Sequence, residues 1–91
     1  MAKVRVTKII DGDTFKVRGG KIIRLANVRA PELGKRGAVK AKNELRTAIG
    51  NKTVSYKSVG KSYGRTVAQV KVAGKSVNQS MRSKGYRNKG K

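Results

Sequence analysis

The chain has 91 residues, 24 of them Lys or Arg and four Asp or Glu, for a formal net charge of +20. It has neither Cys nor His, which excludes disulfides, thiolate or imidazole metal sites, a nucleophilic thiol and a Ser-His-Asp triad. The length suits one small domain, residues 1–86 with a basic tail at 87–91, and the charge suits a polyanion bound with steep salt dependence.

The N-terminal stretch Lys3-Val4-Arg5-Val6-Thr7-Lys8-Ile9 alternates β-branched and basic residues and predicts a strand. It lacks the apolar centre of a signal peptide, and no apolar run reaches the ~20 residues of a membrane span. The expectation is an intracellular protein, in cytoplasm or nucleoid, monomeric and away from membranes. Asp11-Gly12-Asp13 predicts a turn or sharp bend. Thr14-Phe15-Lys16-Val17-Arg18 is a second strand, Gly19-Gly20 a two-residue hairpin signal, and Lys21 to Val28 a third strand.

Ala38, Ala41, Leu45, Ala48 and Ile49 recur at spacings of three or four and predict a helix that stops at Gly50-Asn51. Thr53 to Val59 and Thr66 to Val72 predict two more strands, joined by a loop from Gly60 to Arg65. Gly74-Lys75 is a turn. Ser76-x-x-Gln79 is a capping box that opens a short helix through Lys84, with Gly85 as its stop. The tail from Arg87 is expected to fray. Three strands, a helix, two strands and a short helix predict a mainly β fold with helices (α+β). The arrangement is a five-stranded Greek-key barrel of the oligonucleotide/oligosaccharide-binding (OB) type.

Three of the four acids fall in two short motifs, Asp11-Gly12-Asp13 and Pro31-Glu32. Acids on so basic a surface repel phosphates, unless a metal ion or a proton transfer needs them. Asp11 and Asp13 can face a hard cation together, or they can simply make a turn. Arg24 can clamp a phosphate through two of its guanidinium nitrogens, or lie solvated. Glu32 can act as general base on a water, or balance Lys35 and Arg36. Arg65 can add a second guanidinium, with Tyr63 stacking on a base, or the pair can be a plain turn and strand start.

Taken in order, Ile10-Asp11-Gly12-Asp13-Thr14, Arg24-Leu25-Ala26-Asn27-Val28-Arg29-Ala30-Pro31-Glu32, Tyr63-Gly64-Arg65 and Val77-Asn78 through Gly85 resemble the staphylococcal (micrococcal) nuclease family in a short form. The resemblance implies a barrel that hydrolyses DNA and RNA phosphodiesters with calcium, or another divalent cation such as magnesium or manganese. It implies that Asp13 and the Ala30 backbone carbonyl ligate the metal, with Asp11 supporting them from behind and Thr14 fixing the loop. Glu32 would orient or deprotonate the attacking water, and Arg24 and Arg65 would neutralise the phosphate. Tyr63, Arg29, Lys35, Arg36 and Lys61 would contact the nucleic acid.

The chain departs from the family pattern where a second ligating Asp is usual: it has Arg29, followed by Ala30 in place of Thr. Arg29 either points outward, leaving a weak metal site, or replaces the cation's charge as a third phosphate clamp. The expected function is therefore a small nuclease of low sequence specificity. The alternatives are a non-catalytic nucleic-acid-binding barrel and a module that binds acidic proteins.

Overall fold

The computed structural model describes residues 2–32 and 34–87. Strands β1 (Ala2–Asp11), β2 (Thr14–Val17) and β3 (Ile22–Leu25) form an antiparallel meander. Helix α1 (Ala38–Ile49) follows. Then come β4 (Thr53–Ser62), β5 (Arg65–Val72), the two-residue β6 (Lys75–Ser76) and α2 (Val77–Ser83). β4 pairs with β1, β5 with β4, and β5 with β3 in parallel. The first five strands thus close into a ring, the barrel the sequence predicts. Closure removes open sheet edges from the five.

Period-two patterning drives this closure. Val4 and Val6, Phe15 and Val17, Ile23 and Leu25, Val54, and Ala68 and Val70 all point inward. Leu45 and Ile49 of α1, with Val77 and Met81 of α2, complete the core. The helix face is the one its spacing marks: Ala38, Ala41, Leu45 and Ile49 are buried.

Several boundaries differ from expectation for local reasons. β3 ends at Leu25 rather than Val28, because Asn27 turns left-handed (φ 59°). Val28 instead pairs with Arg87, so the chain at Arg87 is held. The rest of the expected tail, 88–91, lies outside the described residues. The expected Gly60–Arg65 loop is mostly strand. A register shift between Ser58 and Gly60 lets β4 continue to Ser62. The reversal is then only Tyr63-Gly64, both at positive φ (51° and 76°), the geometry of a tight primed hairpin turn. Ala73-Gly74 repeats it (51° and 81°), which moves that turn back one residue and makes Lys75 the start of β6. Ser76 caps α2 by accepting from the Gln79 N–H at 3.1 Å, and α2 ends at Ser83.

One buried amide fastens α2 to the barrel. Asn78 is 0 % exposed. Its Oδ1 accepts from Val70 N at 2.8 Å, and its Nδ2 donates to the carbonyls of Ala26 (2.9 Å) and Ala68 (3.1 Å). Asn78→Ala strands one N–H and deprives two carbonyls, which should cost about 3 kcal/mol, read as a lower urea midpoint.

A second fastening lies beyond α2. The Tyr86 hydroxyl donates to the Glu44 carboxylate of α1. Burial first, then the Glu44 bond and charge, push the phenol up from 10.0 to about 12. The folded state favours the neutral phenol. The contact therefore contributes fully below about pH 10 and is lost as pH rises through about 12. Relative to wild type, Tyr86→Phe should lose stability at neutral pH, with the difference shrinking across that window in urea titrations.

Candidate active site

The bend between β1 and β2 places two carboxylates back to back. Asp11 Oδ1 accepts from the Asp13 N–H at 3.3 Å, which fixes the bend. Asp13 is 7 % exposed, and both its oxygens are engaged. Oδ1 accepts from the Thr14 hydroxyl at 2.8 Å, and Oδ2 from the Ala30 N–H at 3.1 Å. The Asp13 backbone carbonyl also accepts from Leu25 N at 2.8 Å. Burial above all, then the bond and charge of Asp13, push the Asp11 carboxyl from 3.8 up to about 6.

Arg24 projects from β3 beside this pair. Its Nη2 lies 3.7 Å from Asp13 Oδ2 and donates to the Val28 carbonyl at 3.2 Å. The guanidinium is braced on one side by charge and on the other by the backbone of the loop after β3. Thr14 is the cross-strand partner of Arg24, so bend and arginine share one registry.

These groups line a cleft of about 340 Å³ with Arg29, Ala30, Pro31, Glu32, Lys35 and Arg65. The structure thus brings together Asp11, Asp13, Arg24, Arg29, Ala30, Glu32, Lys35 and Arg65 from the sequence-predicted set. Parallel pairing of β3 with β5 sets Arg24 opposite Val67, two residues past Arg65, and carries both arginines to one mouth. Arg36, Lys61 and Tyr63 do not line the cleft. Tyr63 stands 93 % exposed at the β4–β5 hairpin tip.

Gly12 is a feature the sequence reading saw only as a turn residue. A Cβ there would sit 2.6 Å from the Cβ atoms of both Ala30 and Ala41. Three small residues, far apart in sequence, let the bend, the cleft loop and α1 meet. No local pattern announces them. The Ala30 N–H and the Val28 carbonyl were equally hidden, because backbone groups leave no mark in a sequence.

The cleft sets four cationic side chains against three carboxylates. Among the described residues, no three His, Cys, Asp or Glu side chains converge as metal donors. Asp13 already satisfies two N–H or O–H donors and faces Arg24, and Arg29 adds positive charge at the same mouth. A hard cation such as calcium takes six to eight oxygens, usually with several carboxylates. The donor set of this chain does not fit a resident ion of that kind.

The model of the staphylococcal nuclease homologue family matches residues 22–89, well over half of the chain. The chain belongs to that family. The match begins at β3, so it includes Arg24, Arg29, Glu32 and Arg65, while Asp11 and Asp13 precede it. No curated protein matches the chain. No helix among the described residues is long and apolar enough to cross a membrane.

Gly12→Ala should force the bend, the Ala30 loop and α1 apart at a cost of about 2 kcal/mol, measured as a drop in denaturation midpoint.

Proposed function

We infer that this cleft binds a nucleic-acid phosphodiester and hydrolyses it. Membership of a nuclease family supports the reading. The observation that carries it is Glu32, an exposed acid on the wall of a cleft otherwise dominated by Arg24, Arg29, Lys35 and Arg65. A cleft that only bound phosphate would be stronger without that acid.

In this reading Arg24 and Arg65 hold the non-bridging phosphate oxygens and stabilise the charge that builds on them. Positioned positive charge is the larger part of phosphoryl transfer. Arg24 arrives braced by Asp13 and the Val28 carbonyl, so little reorganisation is needed. Glu32 takes a proton from water as its oxygen attacks phosphorus, the bond to the departing oxygen breaks, and solvent protonates that oxygen. Arg29 supplies further positive charge at the mouth. A divalent cation, where one takes part, would add Lewis-acid charge. No step here runs through one, because the donor set does not hold it alone. The protein acts as one domain over 1–86, as a monomer, on DNA or RNA inside the cell.

A second reading has a specific observation behind it. Arg29 stands in the cleft where the family pattern has an acid, which favours a barrel that binds nucleic acid without cutting it.

Cleavage of labelled single-stranded DNA and RNA, with calcium, magnesium, manganese or EDTA, separates the two. Glu32→Ala should lower product formation by ~10²–10⁴-fold. Arg65→Ala should lower it by ~10²–10³-fold with the fold intact. Undiminished cleavage in both variants removes the catalytic assignment. A salt-sensitive gel shift without product under every condition establishes the binding barrel instead.

A further inference from the structure

The outer face of β1 and β2 is charged in a way that costs the fold. Lys8 and Lys16 are direct cross-strand partners, and both are exposed. Like charges directly opposite destabilise a sheet. Arg5 and Arg18 repeat the arrangement one step along. Both are exposed, and the Arg18 N–H donates to the Arg5 carbonyl at 2.9 Å. Their neighbours Val6 and Val17 point into the core, which fixes the basic side chains outward. No acid relieves them. Asp11, Asp13 and Glu32 line the cleft, and Glu44 is engaged by Tyr86. Among the described residues the one ion pair is Arg24 with Asp13.

The face is continuous with the cleft at one end. Arg24 pairs with Thr14, and Lys16 follows two residues along β2, with Arg18 two residues beyond. Each step is about 7 Å on an extended strand. At the other end Lys3 and Lys71 flank a groove of about 340 Å³ that also includes Thr53 and Ser55. Ser55 is the cross-strand partner of both lysines, so the three form one row across β1, β4 and β5.

We propose that the outer face of β1 and β2, from Lys16 and Lys8 through Arg18 and Arg5 to the Lys3–Lys71 groove, is a second nucleic-acid-binding surface. It holds the backbone phosphates of a strand that leaves the cleft. Counter-charge from phosphates removes the repulsion that the fold otherwise bears. Charges in successive rows along extended strands suit a long polyanion better than a single anion. A lipid surface is the weaker partner, because β1 and β2 project no aromatic side chain outward to enter it. The proposal rests on the reading that the cleft takes a phosphodiester, since that is where the strand is anchored.

The test compares a quadruple variant (Arg5→Gln, Lys8→Gln, Lys16→Gln, Arg18→Gln) with a matched one (Lys40→Gln, Lys42→Gln, Arg46→Gln, Lys84→Gln) that removes the same charge from α1 and the end of α2. Binding of a long single-stranded DNA and of a dinucleotide is titrated across salt concentrations. For the face variant, long-strand affinity should fall at least ~10-fold at ~0.1 M salt, and the salt slope should shrink by ~3, about 0.7 per lost phosphate contact. Dinucleotide binding should not change, and thermal melting should move upward as repulsion is removed. An unchanged slope, or an equal loss in the matched variant, overturns the proposal. So does retained DNA binding with lost binding to anionic phospholipid vesicles. Arg65→Ala separates the two readings: if it leaves dinucleotide binding intact, the cleft assignment fails, while the long-strand comparison still judges the face.

Discussion

The buried carboxylate of Asp13 holds the cleft together. It ties Thr14 beside it, the Ala30 N–H of the loop after β3, and the charge of Arg24 on β3. Through its backbone carbonyl it also holds Leu25. Three stretches distant in sequence are thereby fixed around one side chain. Arg24, left free, would be a mobile cation on a crowded basic surface. Held by Asp13 and the Val28 carbonyl, it is aimed. The same carboxylate already accepts two hydrogen bonds and faces a guanidinium, and Arg29, Lys35 and Arg65 line the cleft around it.

Barrel closure supplies the second half of the site. Without the parallel pairing of β3 with β5, Arg24 and Arg65 would sit on separate edges of an open sheet. That closure depends on packing at both ends. Gly12, Ala30 and Ala41 allow a close approach on the α1 side, and Asn78 satisfies backbone groups of β5 and of the turn after β3 on the α2 side. The Val28–Arg87 bridge and the Tyr86–Glu44 contact then hold the C-terminal segment beside Arg29. The cleft loop is thus gripped from both sides.

Charge divides the surface into two kinds of region. In the cleft, acids and bases are interleaved. On the exposed outer face of β1 and β2 the charged side chains are all basic, and their mutual repulsion is a standing cost. A protein with net charge +20 cannot avoid like-charge neighbours altogether. It can choose where they align, and here they align along strands that run from the cleft.

The sequence by itself determined the five strands, both helices, the core face of α1 and the ordered motifs that mark the family. Those features are written in period-two and period-3.6 patterning and in residue types, which act over a few neighbours. It also named most of the residues that line the cleft. Tertiary structure alone decided the rest. Left-handed Asn27 ended β3 early, a register shift at Val59 carried β4 through its glycine, and the tight turn at Tyr63-Gly64 put Tyr63 at an exposed hairpin tip. The close packing at Gly12, and the roles of the Val28 carbonyl and the Ala30 N–H, arise only when distant backbone meets. Such contacts depend on the whole barrel closing, and no window of sequence contains both partners.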